Sequence, residues 1–335
     1  MQLYISNFGS FLGKKSERLI VKENNKVVNE IPFHDLEQII IDNPGVSLST
    51  DCIRECVRHG IYISFLDFSG TPYASLISPY LVGTAMTRRE QLMAYNDQRG
   101  IHLAKAFVEG KLKNQLNILK YFAKYRKGAN RELYEQIYHG ITRMEKFAEE
   151  LKEIKGKCID DIRGQIMSVE GRVGNIYWDM VKLLTDGKIE FPGREHRGAG
   201  DPFNSLLNYG YGILNQQIEK ALVLAGLDIF CGYLHVDRPG KKSLVYDFIE
   251  EFRQPVVDRV VIAIVNKGIE IGMDGEYLDT QTKRDFAARI FERLDHKESF
   301  QGKKSALKTI IQNQARRIAT FLRGEAKYKP FVSSW

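Results

Sequence analysis

Long apolar runs are missing from the 335 residues: the best is 260–265, far short of the roughly 18 that cross a bilayer. The opening stretch, MQLYISNFGSFLGKK, holds no basic segment followed by a long apolar one, so neither a secretory signal nor a membrane anchor is indicated. Cysteine is scarce. Cys52, Cys56, Cys158 and Cys231 are too few for a disulfide framework, and none stands in the C-x-x-C pair of a structural zinc site. That usage suits a reducing compartment, so a soluble, cytoplasmic chain with no membrane partner is expected. Cys52 and Cys56, four apart beside Ile53 and Val57, read as small core residues. There is no internal repeat and no low-complexity tract.

With 43% hydrophobic residues the chain can bury a sizeable core, and its length fits two domains. The net charge of +7 is weak ground for a polyanionic partner until its distribution is read. Residues 1–85 hold 7 basic and 9 acidic side chains, whereas the remainder holds 42 and 33. The positive field therefore belongs to the second part.

An α+β protein is expected, a small N-terminal β-rich domain (1–82) followed by a larger all-α domain (83–335). Segments 2–6, 18–21, 26–31, 36–41, 61–66 and 73–77 are rich in Ile, Val, Tyr and Phe and read as short strands, with Asn24-Asn25 marking a tight hairpin. One helix interrupts them at 50–59, capped by Ser49 or Thr50 and stopped by Gly60. The boundary falls in 79–85. Residues 87–127 then form a long helical segment, with a break possible at Gly110; its ten basic and three acidic residues make either a solvated face or a phosphate-tracking one.

Ile159, Ile162, Ile166, Val169, Val173, Ile176, Met180 and Leu183 define one buried helical stripe. Glu170 sits at its margin, where a carboxylate can face a cleft. An irregular loop (188–201) with Arg194, His196 and Arg197 precedes a helix with Asp201 as N-cap and Pro202 at its first position. The polar stretch CGYLHVDRPGKK (231–242) carries His235 and leads into a helix that Ser243 is placed to cap. Leu244, Val245, Phe248, Ile249 and Phe252 form its apolar face, Asp247, Glu250 and Glu251 project from the other side, and Pro255 interrupts it. The last helix (304–322) is basic and includes Arg317; the tail 328–335 reads as irregular.

Carboxylates with an imidazole suit Mg²⁺ or Mn²⁺, and such an ion can neutralise a phosphorus centre, activate an oxygen nucleophile and stabilise a leaving oxygen. Glu170, His235 and Glu250, with Asp247 one turn before the last, offer that set on three elements. Each also has a plainer reading: a helix-surface carboxylate, a loop histidine, a solvated acidic face.

The blocks SVEGRVGNIYW (168–178), RGAGDPFNSLLNYGYGIL (197–214) and GYLHVDRPGKKSLVYDFIEEFRQPVVDR (232–259) resemble, in order and spacing, the central motifs of the CRISPR-associated spacer-acquisition integrases. The segments RREQLMAYNDQ and GKLKNQLNIL and the basic helix before YKPF extend the resemblance almost end to end. It implies an N-terminal β domain, a helical catalytic and DNA-binding domain, and homodimers, with dimer contacts expected in the β domain. It also implies Glu170, His235 and Glu250 as metal-holding catalytic residues, with Asp247 in support. The implied reaction is attack by the 3′-hydroxyl of a spacer precursor DNA on a phosphodiester at the edge of a CRISPR repeat, with related nicking and branched-DNA activity. A smaller CRISPR-associated adaptation protein is the implied partner. Arg197, Lys241, Arg253 and Arg317 are candidates for phosphate contact, while Asn204 in the D-P-x-N pattern has a role that spacing does not define. The rival readings are a general branched-DNA repair nuclease and a catalytically silent DNA-binding scaffold.

Overall fold

The computed structural model describes residues 1–67, 70, 72–76, 85–195 and 200–334. The chain divides into two compact units, Met1–Leu81 and Val82–Trp335; most of the expected boundary, 79–85, lies outside the described residues, as do His196 and Arg197.

The first unit holds two four-stranded sheets around one helix. In one, β1 (Gln2–Ile5), β5 (Gln38–Ile41) and β7 (Tyr62–Leu66) run parallel, and β8 (Pro72–Leu76) pairs antiparallel with β7. In the other, β4 (Lys26–Pro32), β3 (Arg18–Glu23) and β2 (Phe11–Lys15) are antiparallel, and β6 (Ser47–Leu48) joins β2 in parallel. Asn24 and Asn25 take φ of 49° and 62° in the β3–β4 hairpin, the left-handed conformation that suits asparagine in a two-residue turn. Strand β2 had no clear sequence signal, because Gly13, Lys14 and Lys15 dilute the single core residue Leu12. Helix α1 (Thr50–Arg58) is capped by Ser49, whose hydroxyl accepts from Cys52 N at 3.2 Å. Its Cys52 and Cys56 lie in the core with Leu12, Leu19, Phe33 and Ile39.

The second unit is mostly helical: α2 (Ala85–Ala94), α3 (Gln98–Ala123), α4 (Arg131–Glu153), α5 (Ile159–Thr185), α6 (Pro202–Leu224), α7 (Ser243–Ile249), α8 (Arg259–Asn266), α9 (Thr280–Asp295) and α10 (Leu307–Leu322). Two short hairpins interrupt it, β9 (Met273–Asp274) with β10 (Tyr277–Leu278) and β11 (Lys297–Phe300) with β12 (Lys303–Ala306).

The long basic segment breaks at Asp97, not at Gly110. Asp97 caps α3 by accepting from Arg99 N at 2.8 Å, and α3 passes through Gly110 unbroken. There the missing side chain makes room, since a Cβ would stand 2.9 Å from both Glu251 Cγ and Pro330 Cβ. The stripe on α5 is buried through Ile176 and then passes to Tyr177, Val181 and Leu184, as a 3.6-residue turn drifts off a strict 3-4 repeat. Asp201 caps α6, accepting from Asn204 N at 2.8 Å, with Pro202 first. Ser243 does not cap α7. It is the first helical residue, and its hydroxyl goes to Phe230 O and Asp237. Pro255 lies in a π-helical stretch, Arg253–Asp258, between α7 and α8, the widened turn that accommodates a residue without an N–H.

Candidate functional site

Glu170 and Glu250 meet across a lysine. Helix α5 presents Glu170 from the edge of its stripe, the C-terminal end of α7 presents Glu250, and α3 inserts Lys111 between them. Its Nζ is 2.5 Å from Glu170 Oε1 and 2.8 Å from Glu250 Oε2. A second cation, Arg253, lies 2.8 Å from Glu250 Oε1. Burial alone would raise the Glu250 pKa, but Arg253 and Lys111 outweigh it and hold it at about 2. Burial likewise works against the Lys111 ammonium, and Glu250 with Glu170 reverses that, so its pKa is raised. Both groups are therefore charged at neutral pH.

The acidic side of α7 is not solvated as its sequence suggests: Asp247, Glu250 and Glu251 are 0%, 1% and 0% exposed. Each is buried for a different purpose. Asp247 gathers the loop before the helix, accepting from Tyr233 N (2.6 Å), Leu234 N (2.9 Å) and His235 N (2.9 Å). Its Oδ1 also stands 2.7 Å from His235 Nδ1. A proton on Nδ1, inferred from this carboxylate contact, leaves the Nε2 lone pair free to bind elsewhere.

Glu251 turns away from the site. Its carboxylate accepts from Phe331 N (2.8 Å), Tyr328 Oη (2.5 Å) and Gln314 Nε2 (3.4 Å), and its backbone oxygen accepts from Asn114 Nδ2 (2.8 Å). Burial pushes its pKa up to about 8 despite these donors. The tail beyond Tyr328 is irregular, as its sequence suggests, yet Tyr328, Phe331 and Ser333 are buried. Asn114 binds it twice more, donating to Phe331 O at 3.0 Å and accepting from Ser333 N at 2.8 Å. One strap thus ties α3, α10 and the residue next to Glu250.

Arg253 is engaged with Glu250 rather than presented to solvent, and its guanidinium lies 5.0 Å from the centre of the Tyr211 ring. Arg194 lies 5.4 Å from the same ring, and the Tyr211 hydroxyl donates to Asp258, which also accepts from Tyr177 at 2.8 Å. Asn204, fully buried, donates to Gly193 O (2.7 Å) and accepts from Arg194 and Glu195 N (2.9 and 3.0 Å), so it holds the loop that carries Arg194. Lys241 lies 5.8 Å from the Tyr246 ring, itself 6.0 Å from the His235 ring, which keeps it close to the site. Arg317, on α10, acts electrostatically on Tyr328 of the strap.

A divalent ion fits the donor set. Glu250 Oε2 is buried without a hydrogen-bond partner, since Lys111 is close enough to pair with it but is not aligned to donate. Beside it stand a second carboxylate and an imidazole with one nitrogen to spare, hard and borderline donors in the sense Mg²⁺ and Mn²⁺ require. Lys111 places its positive charge between the two carboxylates. The three donors do not close into one tight set. Among the described residues, Glu17, Glu55 and His59 are the group whose donor atoms all lie within 4.8 Å of one another, and there Lys14 and Arg58 already pair with Glu55.

Lys111 is the residue that sequence reading missed. It lies in GKLKNQLNIL four residues after Phe107 and four before Gln115, both buried. A lysine one turn after the apolar pair Phe107 and Val108 is the signal that a count of ten cations concealed.

Fold and site together define a mixed α/β protein whose helical unit carries a buried ionic centre of two carboxylates and two cations. The family model described as CRISPR associated protein Cas1 matches residues 3–292, and the chain belongs to that family. It is similar to a curated protein of Archaeoglobus fulgidus named CRISPR-associated endonuclease Cas1 1, 38% identical over 100% of both chains. Among solved structures, a casposase bound to integration product matches with a TM-score of 0.80 at 25% identity, over 98% of this chain and 92% of that one. A Cas6-RT-Cas1–Cas2 complex matches with a TM-score of 0.77 at 19% identity, over 99% of this chain and 36% of that one, a likeness of fold. No helix among the described residues is long and apolar enough to cross a membrane.

Proposed function

We propose that this chain is a metal-dependent DNA endonuclease and integrase of CRISPR adaptation, which joins 3′-hydroxyl ends of spacer DNA to a CRISPR repeat by transesterification. The observation that carries the reading is the pairing of Glu170 and Glu250 about one cation, beside a histidine backed by a buried aspartate. Glu170, Glu250 and His235 Nε2 would hold Mg²⁺ or Mn²⁺, which when bound supplies charge neutralisation at the phosphate and lowers the pKa of an attacking hydroxyl. Asp247 orients the imidazole, Arg253 fixes the Glu250 carboxylate, and Lys111 offers an ammonium to a phosphate oxygen or leaving oxygen once the carboxylates have another cation to face. The name of the relative and the casposase with its integration product support a DNA substrate. A homodimer acting with the smaller adaptation protein is part of the same proposal, as is a β domain that carries the dimer contacts.

The test is a plasmid bearing a CRISPR repeat, incubated with a DNA fragment with free 3′-hydroxyls. Joining supports the reading, cutting without joining favours a repair nuclease, and neither leaves a DNA-binding scaffold.

Metal identity gives a separate check. Mn²⁺ should restore metal-stripped protein at least as well as Mg²⁺. Cys231 stands four residues before His235, but burial and then Asp237 and Asp228 push its thiol up to about 12, so without a metal it is protonated at neutral pH. Cys231→Ser should leave metal dependence unchanged. Rescue by Zn²⁺ alone, abolished in Cys231→Ser, would overturn the ligand set.

A further inference from the structure

A cleft of about 270 Å³ opens between α8 and α9, lined by neither Glu170 nor Glu250, and it holds four cations, Arg259, Lys267, Arg289 and Arg293, against one acid, Glu292. Two of the cations are structural. Buried Arg293 donates to Pro255 O and to Glu298, each at 2.7 Å, while Arg259 lies over the Tyr121 ring at 4.4 Å and reaches Glu298 only at 4.0 Å. One carboxylate thus faces two guanidinium groups. Burial lowers the Arg293 pKa, and the neighbouring Arg259 lowers it further. The other two cations, Lys267 and Arg289, are exposed, and their side chains make no ion pair or hydrogen bond with any described residue.

We infer that this cleft is a second DNA contact, binding two backbone phosphates of the strand that the Glu170–Glu250 site acts on, one at Lys267 and one at Arg289; the inference rests on the function proposed above. Guanidinium forks and an unpaired ammonium suit phosphate oxygens, and such contacts fix register without reading sequence. Its position suits that role. The π-helical stretch runs from Arg253, at Glu250, through Pro255, whose carbonyl holds Arg293, to Arg259 in the cleft. At a helical rise the nine steps from 250 to 259 cover about 14 Å, a distance one strand covers in about four nucleotides. A shift of the cleft and a shift of Glu250 would travel through the same segment.

The experiment compares wild-type protein with Lys267→Glu/Arg289→Glu in fluorescence anisotropy on duplexes with arms of about 4 and about 15 base pairs, from 50 to 200 mM salt. Arg143→Glu/Lys146→Glu on α4 makes the same change in net charge elsewhere. The cleft variant should bind the long arm about tenfold or more weakly at 0.1 M salt. Its plot of log K against log salt should be shallower by about two, one for each phosphate that the variant no longer holds. The short arm should lose less, and single alanine variants should each show about half of that change in slope. A loss equal to that of the α4 control overturns the inference and leaves the proposed function standing. Failure of wild-type protein to bind either duplex overturns both. Binding of free deoxynucleotide or inorganic phosphate that needs Lys267 and Arg289, with DNA affinity unchanged, also overturns it, because the cleft would then serve a small anion.

Discussion

Glu250→Ala is expected to abolish DNA nicking and joining and also to cost about 3–5 kcal/mol of stability, the range for removing one partner of a buried ion pair. Sequence alone places Glu250 on an open helix face, where its loss would leave the fold intact. It is instead 1% exposed and stands between Arg253 and Lys111, at 2.8 Å from each. Removing it takes from the Arg253 guanidinium its ion-pair partner and leaves Lys111 with Glu170 alone. His235→Ala should be equally inactive but nearly as stable as wild type, because Asp247 retains three backbone N–H donors. Thermal melts beside single-turnover assays at saturating Mn²⁺ separate the two kinds of loss. A second step isolates the electrostatic part: adding Arg253→Met to Glu250→Ala should recover part of the melting temperature and none of the activity, since it removes the guanidinium left without its carboxylate but restores no ligand. A Glu250→Ala protein that melts like wild type would mean that the pair does not hold the helix.

The contrast between these two variants marks what the sequence could carry. Elements driven by local signals were legible: the capped helices at Ser49 and Asp201, the Asn24-Asn25 turn and the stripe on α5 each depend on residues close in the chain. Glu170 was correctly placed at a stripe margin for the same reason. Burial of the α7 carboxylates was not legible, because what covers them comes from far away in sequence. Lys111 is 139 residues from Glu250 by their numbering, and Asn114 is 137 from Glu251. The periodicity of α7 divides apolar from polar residues but cannot say that the polar side meets another helix and the chain's last residues. The failed break at Gly110 has the same origin, since a glycine that permits close approach and a glycine that ends a helix look alike until Pro330 and Glu251 are seen against it.

Removal of residues 328–335 is expected to be as damaging as loss of a metal ligand, although none of those described hydrogen-bonds to Glu170, His235 or Glu250. Two fully buried side chains, Tyr328 and Phe331, leave the core, at about 1.5–3 kcal/mol each. The Glu251 carboxylate loses the Phe331 N–H and the Tyr328 hydroxyl, and Asn114 loses two of its partners, so buried polar groups are left unsatisfied at about 1–3 kcal/mol apiece. A total of about 5 kcal/mol or more is a large share of the 5–15 kcal/mol typical of a whole domain. The effect should concentrate where Glu251 sits, beside Glu250 and within reach of α3 through Asn114. The truncated protein should therefore melt lower, bind Mn²⁺ more weakly and fail to join DNA, while amides of α7 exchange faster than those of α5. A milder variant, Phe331→Ala, keeps the backbone donor to Glu251 and should lose stability of about 3–5 kcal/mol but retain much of its Mn²⁺ affinity. Adding a synthetic peptide of residues 327–335 should raise the melting temperature of the truncated protein and restore joining together. Truncation that lowers the melting temperature yet leaves Mn²⁺ affinity and α7 exchange at wild-type values would show the strap to be packing alone, with no hold on Glu250.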